Sequence, residues 1–260
     1  MSIDELAARI ASATAEAAPI PQLSSQIDLS LDDAYGIQAA GIAARVAAGE
    51  RVIGAKLGFT SREKARQMGV DDVILGTLTD RMAVPDGGVF RRAELIHPRI
   101  EPEIAFRFRT AQSARVLSEG DADAADIDVA VALEVIDSRF ADFRFDLADV
   151  VADNTSAARF VLGAWMPLAA LGGASALGLR AVRMEIDGSV VAAGSTDAIL
   201  GDPWRAVRSV GEKLATIGGD LDAGAVLLAG AATEAVPLPP AGVVTAAIAG
   251  IGRVSVEVTP

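Results

Sequence analysis

Two glutamates, Glu101 and Glu103, sit two residues apart in "HPRIEPEIAF" (residues 97–106), with Pro102 between them and apolar residues around them. Alternate side chains of an extended chain share a face, so both carboxylates point one way while Ile100, Pro102 and Ile104 point the other. A second strand-like run, "VAVALEVIDSRF", puts Glu134 on the face of Ala130, Ala132 and Ile136. A carboxylate in such apolar company is costly to ionise and must stay protonated or find a partner. Three carboxylates on two strands can instead converge on a cation. Mg2+ suits hard oxygen donors at about 2.0–2.1 Å and keeps places for water or substrate, and the same donors accept Mn2+. Spacing alone equally allows Glu101 and Glu103 to face solvent with Glu134 in a salt bridge.

Lys56 is one of three lysines, with Lys64 and Lys213, and lies between Ala55 and Leu57 in the apolar run "RVIGAKLGF". Burial lowers a lysine pKa, whereas nearby carboxylates or an anionic substrate hold the charge. Either effect fits Lys56 for proton transfer or substrate binding; a strand-end lysine that snorkels to solvent is the plain alternative. "DSRF" (137–140) and "VVADNTSAARF" (150–160) add Asp137, Arg139, Asp153, Asn154 and Ser156 among apolar neighbours. Asp and Asn in series also build turns. Ser156 lacks the G-x-S-x-G elbow, and the single histidine, His97, precedes Pro98 and reads as a structural or edge residue. Multi-histidine metal sites and histidine relays are therefore excluded. The absence of cysteine excludes disulfides, thiolate nucleophiles and cysteine-ligated metals, which fits a cytoplasmic protein.

These residues need a frame, and 260 residues suffice to bury a substantial core around a small-molecule cleft. A net charge of -12 argues against nucleic acid as a partner. No uninterrupted apolar run of about 18 residues predicts a membrane span. Asp4 and Glu5 stand where a secretory signal wants basic residues. No glycine-rich loop of the dinucleotide-binding or P-loop kind follows a strand and opens a helix.

Helices are predicted over 2–18, with Ser2 and Glu5 at capping-box spacing, and over 30–49, with Ser30 as cap and Leu31, Tyr35, Ala39, Ile42 and Val46 on one face. A short helix is expected in "TSREKARQMG" (60–69), and another in "GDPWRAVRSVGEKLATIGGD", capped by Asp202, with Pro203 at its first position and Gly218 at its end. Besides the Lys56 strand, strands are expected at 73–79, 100–108, 128–137, 158–163, 180–187, 225–229, 243–248 and 252–258. The pattern reads as α+β: a mostly helical portion, 1–70, packed on a β-rich core, 71–260, in one continuous catalytic unit.

Taken in order, "IGAKLGFTS", "GTLTDRM", "HPRIEPEIAF", "ALEVIDSRF", "VVADNTSAARFVLG", "GDPWRAV" and "VLLAGAAT" resemble the motifs of the fumarylacetoacetate hydrolase-like superfamily. Within it they are most similar to the branch of 2-oxopent-4-enoate hydratases and 4-oxalocrotonate decarboxylases of meta-cleavage aromatic catabolism. The resemblance implies a β-rich distorted barrel or roll with a helical amino-terminal portion. It implies Mg2+, or Mn2+, held by Glu101, Glu103 and Glu134, with Lys56 and Leu57 at the substrate. Asp80, Asp153 and Ser156 fall in segments that line the pocket in relatives, and Arg81 and Arg139 are candidates for a distal substrate carboxylate.

Pro102 between the glutamates, His97 before them and "LTDRM" favour the decarboxylase, acting on 2-oxohex-3-enedioate; hydration of 2-oxopent-4-enoate is the runner-up. Hydrolysis of acylpyruvates is disfavoured because no histidine–glutamate pair is visible. A non-catalytic stabilising subunit is the alternative of another class. The resemblance also implies a homo-oligomer and a complex with the partner hydratase.

Overall fold

Apolar alternation predicts the strands and also decides which way each one faces. In the computed structural model, which describes residues 1–61 and 72–260, the strands form two mixed sheets. The larger runs β2 (Ile74–Thr79), β1 (Val52–Gly58), β11 (Val226–Ala231), β5 (Arg99–Phe108), β6 (Ile127–Ile136), β7 (Ala157–Leu162), β3 (Ala83–Val84); β12 (Val236–Pro237) pairs with β5 and β8 (Met166–Pro167) with β6. The smaller runs β10 (Ser189–Ser195), β9 (Ala181–Ile186), β13 (Gly242–Ile248), β14 (Gly252–Thr259), β4 (Val89–Arg91).

β5 and β6 pair antiparallel along their whole length, in a register that sets Glu101 opposite Glu134. Ile100, Ile104, Phe106 and Phe108 of β5, with Val129, Val131, Leu133 and Val135 of β6, join Val244, Val254 and Val256 of the smaller sheet in the main core. Each large side chain buried this way contributes about 1.5–3 kcal/mol. A slip of one residue would send the glutamates into that core, so the apolar face holds the acidic face in register.

The amino-terminal helices build a core of their own. α1 (Ile3–Glu16) starts with the expected capping box of Ser2 and Glu5, and α2 (Leu31–Ala47) is capped by Ser30. Leu6 and Ala7 of α1, Ala34 and Ile37 of α2, and Val150 and Val151 of α4 (Leu147–Ala152) share a second core. The buried face of α2 differs from the expected one: Leu31 and Val46 are exposed, while Ala34, Ile37 and Gln38 face inward. Gln38 decides this orientation, because its amide donates to the carbonyls of Leu75 and Val151 at 3.0 and 2.9 Å.

Other differences are local. The helix expected at 60–69 lies outside the described residues beyond Ser61. α5 (Arg205–Ile217) begins two residues after Pro203, because Asp202 accepts the Trp204 N–H within a preceding turn; Gly218 ends it as expected. The short α3 (Ala114–Glu119), α4 and the edge strand β10 were not foreseen, since the helices are a turn or two long and β10 is largely exposed. β1, the strand expected within the mostly helical portion 1–70, is an interior strand of the larger sheet. Among the described residues no helix is long and apolar enough to cross a membrane.

β1 runs parallel to β11, with Lys56 beside Leu228, and the fit is close at Gly54, where a Cβ would overlap the Val226 carbonyl. Gly54→Ala is expected to lower stability by about 2 kcal/mol or more, since backbone cannot retreat as a side chain can. Urea unfolding of the variant beside the parent chain checks this.

Candidate metal centre and catalytic cavity

Four neighbouring strands, β1, β11, β5 and β6, bring the acidic and basic groups together. Glu101, Glu103 and Glu134 are all buried, and one carboxylate oxygen from each lies within 4.8 Å of the others. The expected convergence of three carboxylates is therefore present, and the alternative with Glu101 and Glu103 in solvent is not.

β11 carries a bulge opposite β5 between Leu228 and Ala231. At its centre Gly230 adopts φ +109°, and a Cβ there would collide with the Thr60 hydroxyl. The bulge turns the Gly230 N–H onto Glu103 Oε2 at 2.7 Å, which fixes one oxygen and leaves Oε1 aimed elsewhere. Oε1 of Glu103 and Oε1 of Glu134 are buried without a hydrogen-bond donor. Buried carboxylate oxygens without donors fit a hard cation, so this donor set suits Mg2+ or Mn2+.

Lys56 enters from β1. Its Nζ lies 3.0 Å from Glu134 Oε2 and donates to the Thr155 carbonyl at 3.2 Å. Burial pulls its pKa down, but Glu134, Glu103 and Glu101 outweigh burial and leave it above the ordinary value, so the ammonium stays charged. Burial pushes Glu103 well above the usual carboxylate range, reinforced by Glu134 and Glu101; burial also raises Glu134, against the pull of Lys56. Among the described residues Lys56 is the cation against Glu134, and the donor set of three carboxylates suits a dication.

The Thr155 carbonyl is held by a turn in which Asn154, Thr155 and Ser156 all have positive φ, of 51°, 54° and 56°. Three consecutive left-handed non-glycine residues are strained, and Asn154 restrains them. Its side chain bridges to β2, accepting the Thr77 N–H at 2.7 Å and donating to the Thr77 carbonyl at 2.9 Å.

The cluster opens into a cavity of about 540 Å³ whose walls include Lys56, Leu57, Arg99, Phe143, Phe145 and Ser156. Of the residues expected at the site, the structure brings together Glu101, Glu103, Glu134, Lys56, Leu57 and Ser156. It does not bring Asp80 or Arg81 there. Asp80 lies beyond the far end of β2, where Arg51 bonds it and holds its carboxyl below the usual range, and Arg81 is exposed.

Arg139 and Asp153 line a different surface. Arg139 is buried, ion-paired with Asp153, and donates to the carbonyls of Asp137, Ala157 and Asp153, so four of the five N–H groups of its guanidinium are engaged within the protein. Burial pushes the Asp153 carboxyl up to about 6 against the pull of Arg139. Both line a separate groove of about 600 Å³ beside α1 and α2. Asp137 accepts the N–H groups of Ile96 and His97, both at 2.8 Å, and so anchors the approach to β5, while the His97 ring rests on Phe143.

The sequence reading missed Arg99, Thr155 and Gly230. Arg99 was within reach, since alternation puts it on the face of Glu101 and Glu103. Gly230 was not, because its meaning depends on Thr60, distant in the chain.

Residues 52–259 match the family described as fumarylacetoacetate (FAA) hydrolase C-terminal. A 4-oxalocrotonate decarboxylase of Pseudomonas sp. is 41% identical over 259 residues, covering 100% of this chain and 99% of that protein. A 2-keto-4-pentenoate hydratase of Burkholderia vietnamiensis is 36% identical, covering 99% and 98%. Among solved structures, the 4-oxalocrotonate decarboxylase from Pseudomonas putida complexed with magnesium and adipate superposes with a TM-score of 0.92 at 36% identity, covering 98% of this chain and 97% of that one.

The raised carboxyl groups carry a pH signature. Glu103 and Glu134 bind protons more tightly folded than unfolded, so their contribution to stability is fully present below the ordinary value of 4.5 and is lost as pH rises through the folded values. The chelated protein is expected to show a urea midpoint that falls as pH rises above the ordinary value of 4.5, and Mg2+ is expected to remove most of that fall. Unfolding curves across this range, with chelator and with Mg2+, test both parts.

Proposed function

Because this chain belongs to the fumarylacetoacetate hydrolase family, we propose that it is a metal-dependent lyase that decarboxylates 2-oxohex-3-enedioate to 2-hydroxypenta-2,4-dienoate. The observation that carries the reading is the buried cluster of Glu101, Glu103 and Glu134 with Lys56 against it, at the floor of a cavity with apolar and aromatic walls. The same arrangement lies in a chain with full-length similarity to 4-oxalocrotonate decarboxylases. Mg2+ is the cation of this reading, since a solved relative holds magnesium together with adipate, a six-carbon dicarboxylate.

A bound dication supplies a Lewis acid for the 2-oxo acid end of the substrate. Glu101, Glu103 and Glu134 hold it on a rigid sheet, and the Gly230 N–H fixes the orientation of Glu103. The distal carboxylate is a vinylogous β-keto acid. When the C5–C6 bond breaks, its electron pair forms the C4–C5 double bond, the C3–C4 double bond moves to C2–C3, and negative charge arrives on the 2-oxo oxygen. CO2 leaves uncharged, so no protein nucleophile is required.

Lys56 is placed to balance the arriving charge. Its ammonium is held by Glu134 and the Thr155 carbonyl, and so is already oriented when charge develops. Its remaining N–H can donate a proton to the 2-oxo oxygen. Leu57, Phe143 and Phe145 wall the cavity and limit the water around the reacting carbons. The same electron sink would serve the hydratase reaction, in which water adds to the diene. The reading extends to a homo-oligomer that passes its unstable product to a hydratase.

The test gives Mg2+-reconstituted protein 2-oxohex-3-enedioate and 2-hydroxypenta-2,4-dienoate in separate reactions and follows both by NMR. Metal-dependent CO2 release from the first, with little hydration of the second, is the expected outcome; hydration without CO2 release moves the assignment to the hydratase. Lys56→Met is expected to lower kcat about 10²–10⁴-fold. Glu103→Gln is expected to abolish turnover, whereas a stabilising subunit would be indifferent to it.

A further inference from the structure

Arg99 opens β5 and shares a face with Glu101 and Glu103. At about 3.3 Å per residue it stands roughly 6.6 Å from Glu101 along the strand, on the side away from Glu103. It lines the cavity but is exposed, which puts it at the mouth. Its guanidinium carbon lies 4.9 Å above the Phe143 ring, a stacking contact that restrains the group and leaves its N–H edge free to donate.

Among the described residues that line the cavity, the cations are Lys56 and Arg99, and Lys56 is engaged with Glu134 and the Thr155 carbonyl. Glu101 lies at the floor and Glu234 is exposed at the rim; neither forms an ion pair with Arg99. Arg81 and Arg139, expected from the sequence to meet a distal carboxylate, are elsewhere. Among the described residues, the cavity thus has a floor of carboxylates and one guanidinium, that of Arg99, at its mouth.

We propose that Arg99 recognises the carboxylate at the end of the substrate remote from its 2-oxo acid group, and so selects dicarboxylates over monocarboxylates. This rests on the reaction assigned above for the direction in which substrate lies. The 2-oxo acid end goes to the floor, and an extended six-carbon chain brings the other carboxylate to the mouth. Arg99 meets that carboxylate with a charge-assisted, fork-shaped contact.

The position has a kinetic consequence. The carboxylate at Arg99 is fully charged in the bound substrate and loses its charge as CO2 departs, because the electron pair moves to the 2-oxo oxygen at the other end. The Arg99 contact is therefore stronger in the ground state than in the transition state. It aids binding and not the chemical step, so its loss raises KM without lowering kcat.

The experiment titrates the Mg2+-loaded full chain with 2-oxoadipate and with 2-oxopentanoate, which lacks the distal carboxylate. The parent chain is expected to prefer the diacid by about 10- to 100-fold, the range for hydrogen bonds to a charged group. Arg99→Gln is expected to erase that preference while leaving the affinity for 2-oxopentanoate and for Mg2+ unchanged. Phe143→Leu, which removes the ring beneath the guanidinium, is expected to weaken the preference in the same direction.

In turnover of 2-oxohex-3-enedioate, Arg99→Gln is expected to raise KM by the same factor. An Arg99→Gln variant that keeps the parent preference, or that loses kcat at unchanged KM, overturns the proposal. A parent chain that prefers the diacid through Arg99 yet releases no CO2 upholds the recognition and rejects the reaction assigned above.

Discussion

Mutual repulsion among three buried carboxylates is the constraint on which the rest of the structure depends. Glu101, Glu103 and Glu134 are forced together by the pairing of β5 with β6, and that pairing is set by the apolar residues on the opposite face. The core therefore does more than stabilise the fold: it holds like charges within 4.8 Å of one another. Lys56 relieves part of the cost at Glu134, and the convergence of three carboxylates suits the cluster to a cation.

Around this cluster, backbone geometry replaces flexible side chains wherever orientation matters. Gly230 sits in a bulge so that its N–H can reach Glu103, and the strained turn at Asn154–Ser156 presents a carbonyl to Lys56. Both devices rest on strands of the same sheet, through β11 and through the Asn154 bridge to β2. Such groups need little reorganisation when charge moves during a reaction, which is what electrostatic preorganisation requires. A floor of carboxylates, and a mouth that offers Arg99, give the cavity a direction.

The acidic centre was legible because strand alternation is a local rule. Glu101 and Glu103 had to share a face, and the apolar neighbours of Glu134 put it on a buried strand. The resemblance then joined the two strands and Lys56 into one site. Arg139 and Asp153 were polar residues among apolar ones, and sequence cannot distinguish a functional pair from one that satisfies itself internally, as these do. Asp80 and Arg81 fell in a matching motif, but Lys56 pairs with Gly76, and β2 carries the chain about 13 Å further before Asp80. The buried face of α2 was misjudged because apolar periodicity ignored Gln38, a polar residue turned inward by two carbonyl partners.

The central claim is that Glu101, Glu103 and Glu134 together hold one divalent cation that Lys56 alone cannot replace. Its most direct test is anomalous diffraction from crystals of the protein soaked in Mn2+ at neutral pH. The account predicts one strong peak within coordination distance of all three carboxylates, reached by Oε1 of Glu103 and Oε1 of Glu134. An empty centre at saturating Mn2+, with Lys56 still paired to Glu134, would contradict it.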